Sequence, residues 1–175
     1  MTVNFTDNSA EYQARLNRAI EAALEACGAQ ATTHVVQNLT RDAYKHPVDW
    51  YQRTGALKKF SHQVEMDEKA VYVGTNTSYA LYWEYGTGVY AEKGGRPGWW
   101  VFVPGDSGHK VGSGKVYTEA QARQIMAILQ SKGVDAHMTK GIKPVHMLKR
   151  AIEDHKDEYK KIISQQLAKV GGKVE

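Results

Sequence analysis

One helical periodicity runs from residue 8 to about residue 45, and its length constrains the fold more than any other feature of the chain. Leu16, Ala19, Ile20, Ala23, Leu24, Cys27, Ala31, Val35 and Leu39 recur at three- and four-residue steps, a narrow apolar stripe rich in alanine. Asn8 followed by Glu11 has the polar-x-x-Glu form of a helix start, with Asp7 and Ser9 as alternative caps. His46-Pro47 ends the run, because the residue before a proline is driven out of helical geometry. At 1.5 Å per residue such a helix spans on the order of 50 Å, more than the width of a small globule. It therefore either kinks at Gly28 or packs part of its stripe against something other than its own core, such as a neighbouring copy. Cys27, on that stripe, reads as a small core residue rather than a reactive thiol.

The 175 residues have room for one domain, and 42% apolar with 24% charged residues is ordinary globular composition. No run of about 18 apolar residues occurs, and Met1 to Thr6 lacks a basic region followed by a hydrophobic one, so neither a membrane span nor a signal peptide is expected. The expected setting is the cytosol. A lone cysteine excludes an internal disulfide, and no Cys/His spacing suggests structural zinc. The net charge of +4 permits nucleic-acid contact without specifying it, and the lysines and arginines lie mostly in loops and at element ends.

After an aromatic connector, Val48-Asp49-Trp50-Tyr51, Thr54 is placed to cap a short helix containing Leu57. Phe60 to Met66 and Lys69 to Val73 flank Asp67-Glu68 and alternate as a half-buried hairpin, with Val71 and Val73 inward, Tyr72 outward and His62 on the surface. Ser78 or Thr77 caps a single-turn helix that Gly86 ends in left-handed geometry. Gly86, Gly88, Gly94, Gly95, Pro97 and Gly98, with Lys93 and Arg96, have the composition of an exposed loop. Trp99 to Val103 reads as a buried strand. Residues 105–117 read as a glycine-rich loop, and Thr118 to Gln130 as a capped helix with Ile125, Ile128 and Leu129 inward, closed by Gly133. A second long helix starts near Pro144, carries Met147, Leu148, Ala151, Ile152, Tyr159, Ile162, Ile163 and Leu167 on one face, and ends at Gly171-Gly172. The expected architecture is a single α+β domain over residues 1–175. In it a small antiparallel sheet is covered by a long N-terminal and a C-terminal helix, with an inserted loop-helix segment at 105–140.

Recognisable chemistry does not emerge from the motifs. Gly86-Thr87-Gly88-Val89-Tyr90-Ala91 formally fits a dinucleotide fingerprint, but Gly94, Gly95 and Pro97 forbid the helix that must follow to hold a pyrophosphate. Gly112-Ser113-Gly114-Lys115 lacks the first glycine of a phosphate loop, and Val116 stands where a magnesium-binding hydroxyl is needed. No Gly-x-Ser-x-Gly or Cys/His pattern marks a nucleophile. His34, His46, His62, His109, His137, His146 and His155 are scattered, without HExxH or HxH units. Glu153-Asp154 and Asp157-Glu158 alternate with Lys156, Lys160 and Lys161 as on a solvated helix face. No catalytic residue, cofactor or metal site is expected.

The order of segments does carry a resemblance. Thr54-Gly55-Ala56-Leu57, a hairpin, Val73-Gly74-Thr75-Asn76 with Tyr79-Ala80, Glu84-Tyr85-Gly86-Thr87-Gly88, then Lys143-Pro144-Val145-His146-Met147-Leu148 before a terminal helix resembles the neck or tail-completion proteins of long-tailed phages, also described as minor tail or head–tail joining proteins. The resemblance covers about residues 50 to 170. Two departures are the lead-in to the last helix, where the family commonly has Arg-Pro-Phe-Leu, and the longer insertion. The resemblance implies a non-enzymatic virion component, a tail-completion or tail-terminator subunit in a hexameric or dodecameric ring. Such a ring is assembled in the host cytoplasm between the head connector and the tail tube, with at most weak contact to DNA in the channel and none to membrane. The alternative is a small basic nucleic-acid-binding protein.

A ring subunit needs two different complementary flanks. The long first helix is a candidate for one. Tyr82, Trp83, Tyr85, Gly86, Gly88, Trp99 and Trp100 are the candidate interface, because with Tyr79 these aromatics exceed what one small core hides and aromatics are favoured at interface centres. The glycine-rich loops are expected to order on docking. Lys93 and Arg96 are the candidate DNA-channel or partner loop.

Overall fold

The computed structural model describes residues 7–45, 54–93, 97–104 and 115–171. Arg96, the connector at 48–51 and the glycine-rich segment 105–114 lie outside the described residues.

Helix α1, Ser9–Asp42, is continuous through Gly28 over 34 residues. Its first buried residue is Ala23, so the first four turns stay outside the core. The first half has a companion instead of a kink. Helix α5, Lys156–Gly171, runs beside it, and the Arg15 guanidinium donates to the Val170 carbonyl at 3.2 Å.

Gly28 has a packing role. Strands β1 (Ser61–Glu65) and β2 (Ala70–Gly74) form an antiparallel hairpin with His62 opposite Val73 and Val64 opposite Val71. Val71 and Val73 are half-buried and Tyr72 is exposed, as the alternation predicts. The hairpin lies against α1 so closely that a Cβ at Gly28 would come within 2.6 Å of the His62 ring and 2.7 Å of Val71. Glycine within a helix costs about 1 kcal/mol relative to alanine, and here the close approach of the hairpin offsets it. Gly28→Val should therefore lower stability by about 1–3 kcal/mol through overpacking. Urea denaturation would show this, and an unchanged midpoint would mean that the hairpin is free to shift away from α1.

The main core joins Val35, Leu39 and Ala43 to Leu57 of a 3-10 turn (Ala56–Lys58), Ala80 of helix α2 (Ala80–Tyr85), Val145, and Met147 and Ala151 of helix α4 (Met147–Glu153). A second core is built from Val101 of strand β3 (Trp100–Phe102), Ala122 of helix α3 (Glu119–Ser131) and Ala136. Ala136 directly precedes strand β4 (His137–Thr139), which pairs antiparallel with β3, Val101 opposite Met138. Trp99 and Tyr117 exchange two backbone hydrogen bonds, of 2.8 and 2.9 Å, and extend this ladder. The α+β class is as expected, but the sheet is divided into two separate two-stranded sheets. Three-residue β4 lies in the expected insertion and was not foreseen, being too short to show a period.

Three local expectations are corrected. The C-terminal helix starts at Met147, not near Pro144, because Val145 donates to the Trp83 carbonyl at 2.7 Å and His146 sits at φ 51°. It also breaks at Asp154-His155. In a continuous helix the Ala151 carbonyl would accept from His155; here the Tyr159 hydroxyl donates to it at 2.7 Å. Ile128 is exposed, while Ile125 and Leu129 pack on the second core. In α2 no capping bond from Ser78 or Thr77 is found among the described residues. Ala80 donates to the Thr77 carbonyl at 3.0 Å, and the Thr77 hydroxyl donates to Ala56 at 3.2 Å. In α3, by contrast, Thr118 and Gln121 form a full capping box.

Candidate functional site

The segment Glu84 to Gly88 is a backbone clasp. Glu84 is buried, and its two carboxylate oxygens accept from the Leu148 and Lys149 amides at 2.8 and 3.1 Å. A side chain from α2 thus supplies the N-terminal cap of α4 that the local sequence lacks, at the positive end of the helix dipole. The Thr87 amide donates to the Ile142 carbonyl at 2.9 Å, and the Ile142 amide donates to the Thr87 hydroxyl at 3.0 Å. Val89 donates to Lys140 at 2.8 Å. Gly86 ends α2 at φ 73° and ψ 175°, so its φ is positive but its ψ is not that of the left-handed helix. Gly88 and Gly141 face each other across the crossing at φ 62° and φ 99°, and a Cβ on either would overlap the opposing backbone. Gly86 and Gly88, expected in an exposed loop at an interface, are buried here instead.

The other candidate interface residues separate. Trp83 and Tyr79 pack on the main core, and Trp99 on the second. Trp100 and Tyr85 are half-buried, and Tyr82 is 53% exposed beside Leu81, 62% exposed, on α2. Lys93 is exposed, with its amino group 5.6 Å from the centre of the Tyr85 ring. Lys140 and Lys143 approach the Tyr90 ring at 5.5 and 5.6 Å. The hydrogen bond to Tyr90 raises the Lys140 pKa. Three lysines and two tyrosines of the clasp region thus make a basic, aromatic surface that linear spacing did not show.

Along α1, beside the apolar stripe, Gln30, His34, Asn38 and Asp42 repeat at four-residue spacing and form a polar ladder against α4 and α5. The Asn38 amide donates to the Met147 carbonyl at 3.1 Å, and Arg150 meets Asp42 at 2.7 Å. Asp42 is held below the usual carboxylate range, first by its hydrogen bond from Arg41 and then by Arg150. His34 is 5% exposed; its Nε2 lies 3.0 Å from the Gln30 amide nitrogen and 3.2 Å from Glu158 Oε2. The same Glu158 oxygen lies 3.3 Å from Nδ1 of His155, whose ring centre is 3.4 Å from that of His34. Burial lowers the His34 pKa most, the His155 charge lowers it further, and Glu158 opposes both. Burial pushes Tyr159 up to about 12 and also raises the Cys27 thiol, leaving Cys27 a core residue as expected. The four-residue polar spacing is the sequence signal for this ladder, and it runs beside the apolar periodicity of the same helix.

The fold is thus a mixed helix-and-strand one with two small antiparallel sheets. No helix among the described residues is long and apolar enough to cross a membrane. No protein-family model, curated protein or solved structure matches the chain.

Proposed function

We infer that the chain is a structural subunit of a tailed-phage virion, a neck or tail-completion protein that joins head connector to tail as a ring. The observation that supports this is the convergence of the segments that carry the family resemblance, which are spread from residue 54 to residue 148. The Thr77 hydroxyl bonds Ala56, Gly55 and Leu57 line one small cleft with Tyr79 and Trp83, and Glu84 caps the helix that begins at Met147-Leu148. Segments that spell a motif only in order form one connected framework in space.

The surface suits assembly with further copies. An apolar groove of about 320 Å³ opens between α1, the β1–β2 hairpin and α4–α5, lined by Leu24, Val71, Val73, Leu148, Ile152 and Ile163 among others. Ile152 is 53% exposed on it. Leu81 and Tyr82 on α2 supply a second apolar patch. Two unlike patches are what a heterologous, ring-closing contact uses, and the next copy of the chain is the occupant assigned to them.

The test is electron microscopy of lysates from the phage lacking this gene. DNA-filled heads beside unattached tails are expected, and infectious particles in normal numbers would overturn the assignment. Complementation with L81E/Y82S should leave a folded protein that fails to join tails, since both side chains are exposed and contribute little to the monomer. The second reading, a small nucleic-acid-binding protein, is favoured by Lys93, Lys140 and Lys143 around Tyr85 and Tyr90. It requires affinity for DNA that falls steeply with salt, whereas a channel lining that lets DNA pass binds weakly at all salt concentrations.

A further inference from the structure

The geometry points to a divalent transition-metal site at the break between α4 and α5, with His34 Nε2, His155 Nδ1 and Glu158 Oε2 as ligands and zinc as the best-suited ion. The three donor atoms lie within 4.8 Å of one another. Glu158 Oε2 is 3.2 Å from one nitrogen and 3.3 Å from the other. Metal–ligand bonds of about 2.0–2.1 Å give a tetrahedron an edge of about 3.3 Å, so the two oxygen–nitrogen separations fit, while the two rings, 3.4 Å apart between centres, must part by about 1–2 Å for both nitrogens to face one ion. Two imidazoles and one carboxylate are a donor set of zinc and its neighbours rather than of magnesium or calcium, which prefer oxygen ligands.

Neither neutral tautomer of His34 matches all of its neighbours. With its proton on Nδ1, Nε2 accepts from the Gln30 amide at 3.0 Å but also faces the Glu158 carboxylate, an acceptor, at 3.2 Å, and the buried Nδ1–H has no acceptor among the described residues. With the proton on Nε2, Nδ1 becomes a buried acceptor that has no partner among the described residues. A cation among the three donors takes the Nε2 lone pair in place of the Gln30 amide and neutralises the carboxylate, which removes the acceptor–acceptor contact.

The ligands come from both sides of a structural joint. His34 stands on the rigid second half of α1, His155 in the helix break, and Glu158 in the first turn of α5. A metal there pins the direction of α5, and with it the arm that α5 forms with the first half of α1. Glu158 and His155 are half-exposed, leaving access to solvent for a fourth ligand, either water or the Gln30 amide oxygen after a flip.

The full-length chain, stripped with a chelator and titrated with zinc chloride at neutral pH, should take up one equivalent by calorimetry and by elemental analysis after desalting. Its Tm should rise with free zinc. The H155N/E158Q variant replaces two half-exposed residues by neutral near-isosteres and should bind at least about tenfold more weakly while keeping the unliganded Tm. Cobalt(II) in place of zinc should give intense visible bands of a four- or five-coordinate ion, a readout that needs no variant. Weak binding without those bands, or equal zinc uptake by wild type and H155N/E158Q, would overturn the site and assign the uptake to surface pairs such as His62–Glu25 and His137–Asp135.

Discussion

Glu84→Ala should cost the fold about 3–5 kcal/mol, the range for removing one partner of a buried, charge-assisted contact. The substitution removes both bonds to α4 and strands the Leu148 and Lys149 amides at a helix start with no capping side chain of its own. It also removes a negative charge from the positive end of the helix. A domain's whole stability is of order 5–15 kcal/mol, so the variant should unfold at markedly lower urea or temperature. Glu84→Gln keeps one acceptor oxygen but turns an N–H donor toward a second N–H, and should fall between wild type and alanine. If Glu84→Ala lies within about 1 kcal/mol of wild type, water has replaced the carboxylate and the clasp is not closed in solution.

Gly141→Ala should be nearly as damaging, at about 2–5 kcal/mol. The φ of 99° lies outside what an alanine adopts without strain, and the added carbon would overlap the Thr87 carbonyl and the Gly88 amide, neither of which is a flexible side-chain end. Gly133 provides the internal control. It also has positive φ, 79°, but a Cβ there meets nothing within 4 Å among the described residues, so Gly133→Ala should cost only about 1–2 kcal/mol. The difference between the two isolates the backbone crossing from the conformational penalty. Hydrogen exchange should report the same event locally, with the Ile142 and Thr87 amides losing protection in Gly141→Ala first. Equal costs for the two alanines would mean that the crossing loosens without consequence.

Both sites show what kinds of information a linear pattern carries. α1 was legible because its apolar positions recur every three to four residues from Leu16 to Leu39, and α3 because Thr118 and Gln121 form its cap within four residues. The β1–β2 hairpin was legible from strict alternation across a short link. The start and the break of the terminal helix were not legible, because the decisive partners are remote: Glu84 caps α4 from 64 residues away. The break, in turn, depends on a Tyr159 hydroxyl that is close in sequence but finds its acceptor only after α5 has turned. Glycine-rich composition suggested an exposed loop at Gly86-Thr87-Gly88. The same absence of side chains permits two backbones to cross in a buried place, and composition does not distinguish the two uses.

By itself, the sequence determined the class of fold, the extent of α1 and α3, the inward face of the hairpin and the order of segments that resembles phage neck proteins. These depend on periodicity and on contacts within a few residues, which a chain states locally. Tertiary structure alone decided that the sheet divides in two, that the Glu84–Gly88 motif is a clasp, and that Tyr82 stays exposed while Trp83 packs inward. It also decided that two of seven scattered histidines meet one carboxylate. Most of these depend on contacts across tens of residues, whose partners share no period for a sequence to display.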